Sequence, residues 1–112
     1  MASIKDFDHL EQITGVANFI LVRNDGQVIR QNMTNAEDFA PIISVGGLQC
    51  DALAADMNGD RYIHLSMERE SGNDLIVFSL GRYYLGIFKF EESERQQTID
   101  NVIFFLTNLR RA

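Results

Sequence analysis

Apolar positions along this chain follow two spacings, and the switches between them fall on turn or capping residues. Ile4, Phe7 and Leu10 recur every three residues behind Ser3 and Asp6, a spacing that suits a capped, short amphipathic helix ending near Gly15. Residues 16–23 then read as a strand, and Asn24-Asp25-Gly26 is a hairpin signal leading to a shorter strand over 27–31. Thr34 and Glu37 stand at capping-box spacing before a helix that runs to about Met57. Pro41 falls inside that span and removes a backbone donor, so the helix either starts later than Thr34 or kinks near Pro41.

Asn58-Gly59-Asp60 closes the middle helix. Over 61–68 apolar Ile63, Leu65 and Met67 alternate with polar His64, Ser66 and Glu68, the pattern of a strand with one wet face. Ser71-Gly72-Asn73-Asp74 turns the chain into a strand over 75–80, and Gly81-Arg82 links it to another over 83–90. Ser93 and Gln96 make a third capping pair behind Glu91 and Glu92, which suit the positive end of a helix dipole, while Arg110-Arg111 suit the negative end. The predicted order is α-β-β-α-β-β-β-α in one domain spanning 1–112.

The strands starting at Val16, Leu75 and Tyr83 are apolar at odd and even positions alike, which requires both faces of the sheet to be covered there. They are therefore central. The 27–31 strand is short and the 61–68 strand alternates, so both belong at edges. With neighbours joined by hairpins, the expected fold is α+β, a five-stranded antiparallel sheet of order 2-1-5-4-3. The first and last helices share one face and the middle helix covers the other.

Projected at about 100° per residue, Phe39, Ile42, Ile43, Gly46, Cys50, Leu53, Ala54 and Met57 form one stripe of the middle helix, expected to dock on the sheet. The opposite side, Pro41, Val45, Leu48, Ala52 and Ala55, is also apolar, with Ser44, Gln49, Asp51 and Asp56 left on narrow flanks. Such a face either meets a partner, most simply its own copy across a two-fold axis, or merely tolerates good helix formers. Val45 and Leu48 favour the partner. In the last helix Phe104 points away from the inward stripe of Ile99, Val102, Ile103, Leu106 and Leu109, as a partner contact or as a ring partly covered by the first helix. Tyr62 and His64 on the polar side of the edge strand join the candidate interface, since an unpaired edge can extend into a second subunit.

Composition narrows the function classes. A net charge of −6 with ten scattered Lys and Arg argues against nucleic acid, and 46% hydrophobic residues fit a folded core. The first residues carry acids where a signal peptide needs an apolar run, and no stretch approaches the about 18 apolar residues of a membrane span, so a cytoplasmic protein without membrane insertion is expected. His9 and His64 lack companions at metal-ligand spacing and read as solvated surface, and no metal or cofactor is expected. The lone cysteine, Cys50, reads as a packed core thiol. Gly46-Gly47 lacks the Lys and Ser/Thr of a phosphate loop and reads as allowing close packing. No nucleophile elbow is present, so an enzyme is not expected.

In order, Gly15-Val16, an apolar strand, Asp25-Gly26-Gln27-Val28-Ile29, a helix opening on Glu37-Asp38-Phe39-Ala40, Leu75-Ile76-Val77-Phe78, Leu80-Gly81 and Tyr84-Leu85-Gly86-Ile87 resemble the roadblock family of dynein light chains and bacterial relatives. The likeness spans essentially the whole chain. It implies a profilin-like sheet with one helix on one face and two on the other, and dimerisation through the middle helix and an edge strand. It also implies a non-catalytic module that regulates or scaffolds a small Ras-like GTPase, with no catalytic residue to carry over. Pro41 and Gly46-Gly47 depart from the uninterrupted middle helix of that pattern. The competing reading is a small-molecule sensor of profilin-like or PAS-like architecture, which needs an enclosed interior pocket.

Overall fold

The computed structural model describes residues 3–56 and 63–111, so Met57, Asn58-Gly59-Asp60, Arg61 and Tyr62 lie outside the described residues. Five strands, β1 (Val16–Arg23), β2 (Val28–Gln31), β3 (His64–Met67), β4 (Leu75–Ser79) and β5 (Tyr83–Lys89), form one antiparallel sheet in the order β2-β1-β5-β4-β3 expected from the pattern. A nine-residue 3-10 helix, Ile4–Gln12, precedes β1; α1 (Ala36–Asp56) separates β2 from β3, and α2 (Arg95–Arg111) follows β5. The opening helix is 3-10 because Ile4, Phe7 and Leu10 are spaced by three, and three residues per turn stack them on one side. The Ser3 N–H donates to Asp6 Oδ2 at 2.7 Å and closes its first turn.

The two faces of the sheet carry separate apolar cores. On one, Leu10 and Ile99, Val102 and Leu106 of α2 pack on Phe19, Leu21, Ile76, Phe78, Leu85 and Ile87. On the other, Ala36, Ala40 and Ile43 of α1 pack on Ile20, Val22, Leu75, Val77, Tyr84 and Phe88. The register explains the split, since Leu21 and Phe78 both face Leu85 across their ladders, while Val22 lies opposite Tyr84. Arg30 ties β2 to the opening helix through Asp8 at 2.6 Å.

Several local expectations are corrected. α2 begins at Arg95 with Glu94, rather than Ser93, as its cap: Glu94 Oε1 accepts from the Gln97 N–H at 3.1 Å and its other oxygen from the Gln96 N–H, a carboxylate placed at the positive helix end. Of the two alternatives expected for α1, the later start holds: it begins at Ala36, two residues after Thr34, and runs through Pro41 as one helix. Residues of β3 are half-buried on both sides instead of alternating, because His64 and Ser66 stand beside Phe78 and Ile76. At the β3–β4 end, burial pushes the Asp74 carboxyl up, but the Arg69 N–H, the Arg95 guanidinium and nearby Lys89 outweigh it and hold the group below its ordinary range. Lys89 Nζ donates to the carbonyls of Gly72, Phe90 and Ser93 at 2.7, 3.2 and 3.0 Å, joining that turn to the start of α2.

A glycine determines how closely α1 approaches the sheet. A Cβ at Gly47 would lie 2.2 Å from the Tyr84 ring, whereas one at Gly46 would lie 3.3 Å from Val77 Cγ2. Gly47→Ala should therefore destabilise the fold by about 1–3 kcal/mol despite its better helix propensity, while Gly46→Ala stays within about 1 kcal/mol of the parent. Urea denaturation of the two variants checks this.

Candidate protein-docking face

α1 touches the sheet along Ala36, Ala40, Ile43, Gly47 and Cys50, all buried, with half-buried Ala54 continuing the line at the same alternation of four and three residues. The line is made of small residues except Ile43, whose Cδ1 fills the space a side chain at Gly86 would need. Phe39 flanks it, edge-on to Phe88 with ring centroids 4.9 Å apart. One turn beyond Gly47, Asp51 accepts a hydrogen bond from the Tyr84 hydroxyl at 2.9 Å and another from the Ser79 hydroxyl. Burial and then this bond to Asp51 push the Tyr84 phenol above its ordinary pKa. Cys50 is fully buried, with its Sγ 3.7 Å from the Val77 carbonyl, and burial together with the Asp51 charge raises its thiol. It is the packed core thiol expected, in a setting that suppresses thiolate.

That anchoring fixes the rotation of α1 and hence its outer face. Val45 and Leu48 are 54% and 60% exposed, and Pro41 and Ala52 stand exposed beside them, as expected. Ile42 and Leu53, expected on the sheet, are each 46% exposed and belong to this face instead. The correction has a steric cause. Tyr84 admits only a glycine beneath it, so the helix docks on Gly47 and turns these two larger side chains outward. Their apolar character misled the periodicity. The signal that finds the docked line is the run of small residues at positions 36, 40, 47, 50 and 54.

The described ones among the remaining candidates, His64 and Phe104, lie away from this face. Tyr62 and the side chain of Ala55 lie outside the described residues. His64 sits on the β3 edge, half-buried with its ring 5.6 Å from that of Phe78, so it is not the solvated side chain expected; His9 is exposed. Phe104 is 70% exposed, which removes the reading of a ring covered by the first helix, but α2 lies across the sheet from α1. Among the described residues no helix is long and apolar enough to cross a membrane. Two surface clefts among the described residues, each about 520 Å³, are open to solvent, so neither is the enclosed pocket a sensor reading needs.

Comparison with solved structures defines the class as an α+β fold shared by roadblock and profilin domains. A roadblock/LC7 domain from Streptomyces avermitilis superposes with a TM-score of 0.73 at 16% identity, covering 99% of this chain and 97% of that one. Myxococcus xanthus MglB gives 0.65 at 17% identity over 96% and 93%. LokiProfilin1 gives 0.62 at 13% over 94% and 92%. The chain thus has the roadblock/LC7 fold that its sequence resembles. No family model matches the sequence, and no curated protein matches it.

The clamp between Asp51 and Tyr84 yields a direct test. Tyr84→Phe should cost about 1.5–3 kcal/mol, and a double-mutant cycle with Asp51→Asn should show coupling on the order of 1 kcal/mol or more, because the bond runs from a hydroxyl to a carboxylate shielded by α1. Additive losses in chemical denaturation would contradict the clamp.

Proposed function

We propose that this chain is a non-catalytic, homodimeric binding module that regulates or scaffolds a small Ras-like GTPase in the cytoplasm. The observation that carries the proposal is the outer face of α1, where Ile42, Val45, Leu48 and Leu53 stand between 46% and 60% exposed on a helix whose other side is already docked. A helix apolar on both sides needs a second surface to cover it. Because α1 lies at the middle of one layer, a second copy related by a two-fold axis can cover that face with the same face. The unpaired edge of β3 stands at the end of the sheet and can take part in the same contact. The GTPase role follows from the roadblock resemblance of the sequence, joined to the roadblock/LC7 fold. A sensor role is the weaker reading, since the clefts seen among the described residues are open.

Sedimentation equilibrium should give a dimer at micromolar concentration, and Leu48→Glu should weaken it by about 30-fold or more, the effect of losing at least ~2 kcal/mol at a central contact. A clean monomer for the parent chain ends the homodimer reading. Immobilised protein should retain a small Ras-like GTPase in one nucleotide state more than in the other; equal recovery in both states, or none, ends the regulatory reading.

A further inference from the structure

The two ends of the exposed face of α1 differ in charge. Beside its first half, on the loop between β3 and β4, the Arg69 guanidinium carbon lies 5.6 Å from the centre of the Phe39 ring and 5.2 Å from that of Phe88. The two rings hold it by cation–π attraction. Arg69 is exposed, and among the described residues no carboxylate pairs with it, whereas Arg23, Arg30 and Arg95 each have one. Of the acids nearby in sequence or on α1, Glu68 is taken by Arg95, Glu70 is exposed, and Glu37 and Asp38 serve the positive end of the helix. At its other end α1 finishes on Asp56, and its last turn carries no basic residue to meet the negative end of the dipole. We infer that Arg69 of each copy in a dimer pairs with the C-terminal end of α1 in the second copy, through Asp56, so that the two helices cross antiparallel.

The apolar residues of the face fit that crossing. Ile42 and Leu53, each 46% exposed, stand eleven residues apart, about three turns, and so on one side of α1. A two-fold axis between positions 47 and 48 lays Ile42 of each copy on Leu53 of the other. The same axis brings the level of Phe39, where Arg69 lies, to that of Asp56. Leu48, 60% exposed, then stands at the crossing. A parallel crossing would set like ends of the two helix dipoles together and bring the positive end of the second helix to Arg69. Because two rings already hold the guanidinium, pairing costs it less side-chain freedom than it would cost an unsupported arginine. The inference rests on the homodimer proposed above and adds the direction of its helices and the charge pair at each end.

The test mixes two full-chain variants, Arg69→Glu and Asp56→Arg, at equal concentration and low salt, and counts homodimers and heterodimers by native mass spectrometry. In Arg69→Glu alone two acids meet at both pairings, and in Asp56→Arg alone two bases do, while the mixed dimer has opposite charges at both. Each variant by itself should dimerise about ten-fold or more weakly than the parent chain, and the mixture should hold heterodimer about ten-fold or more above the statistical share. Arg69→Gln, which adds no repulsion, should weaken the dimer several-fold, with a loss that shrinks as salt rises. A statistical mixture, or an Arg69→Gln dimer as tight as that of the parent at low salt, would overturn the inference and leave the homodimer standing. A monomeric parent chain would remove the homodimer and the inference together.

Discussion

Gly47 lies with its backbone against the ring of Tyr84, where a side chain would need to stand 2.2 Å from the ring carbons. This contact sets the height and rotation of α1 above the sheet. Ile43 enters the space left by Gly86 on one side of it, and Asp51 receives the Tyr84 hydroxyl on the other. Neither bulky neighbour on the helix can replace Gly47 at that point. The inner line of α1 is consequently small, and much of its larger apolar surface faces away from the protein's own core. The exposed apolar face is a consequence of how the helix is seated.

The other side of the sheet is closed more conventionally. Its core joins the opening helix and α2 on Leu85, Ile87, Ile76 and Phe78. The Asp74, Arg95 and Glu68 contacts hold the β3–β4 end against the start of α2. Phe104 stands out as an exposed ring on that layer, without the flanking apolar neighbours that α1 provides. The two layers thus differ in kind, one finished within the chain and the other presenting apolar surface outward.

Much of this was legible in the sequence. The paired apolar positions of β1, β4 and β5 identify them as central, and the hairpin residues order the sheet without further information. The second apolar face of α1 was visible in Val45 and Leu48. What periodicity could not give was its exact rotation, because hydrophobic patterning weighs Ile42 and Leu53 heavily and glycine hardly at all, while the packing here turns on a glycine under an aromatic ring from a distant strand. The half-burial of His64 was hidden for the same reason, since its neighbour Phe78 comes from β4. The Glu94 cap was missed because Ser93 fits the usual pattern one residue earlier.

The central claim is that the face of α1 opposite Tyr84 meets a second copy of the chain. Intermolecular NOEs in a sample mixed from labelled and unlabelled protein observe that contact residue by residue. The methyl groups of Ile42, Val45, Leu48 and Leu53 should show NOEs to the unlabelled copy. A dimer whose intermolecular NOEs fall on Phe104 or elsewhere on α2, with none at those four residues, would contradict it.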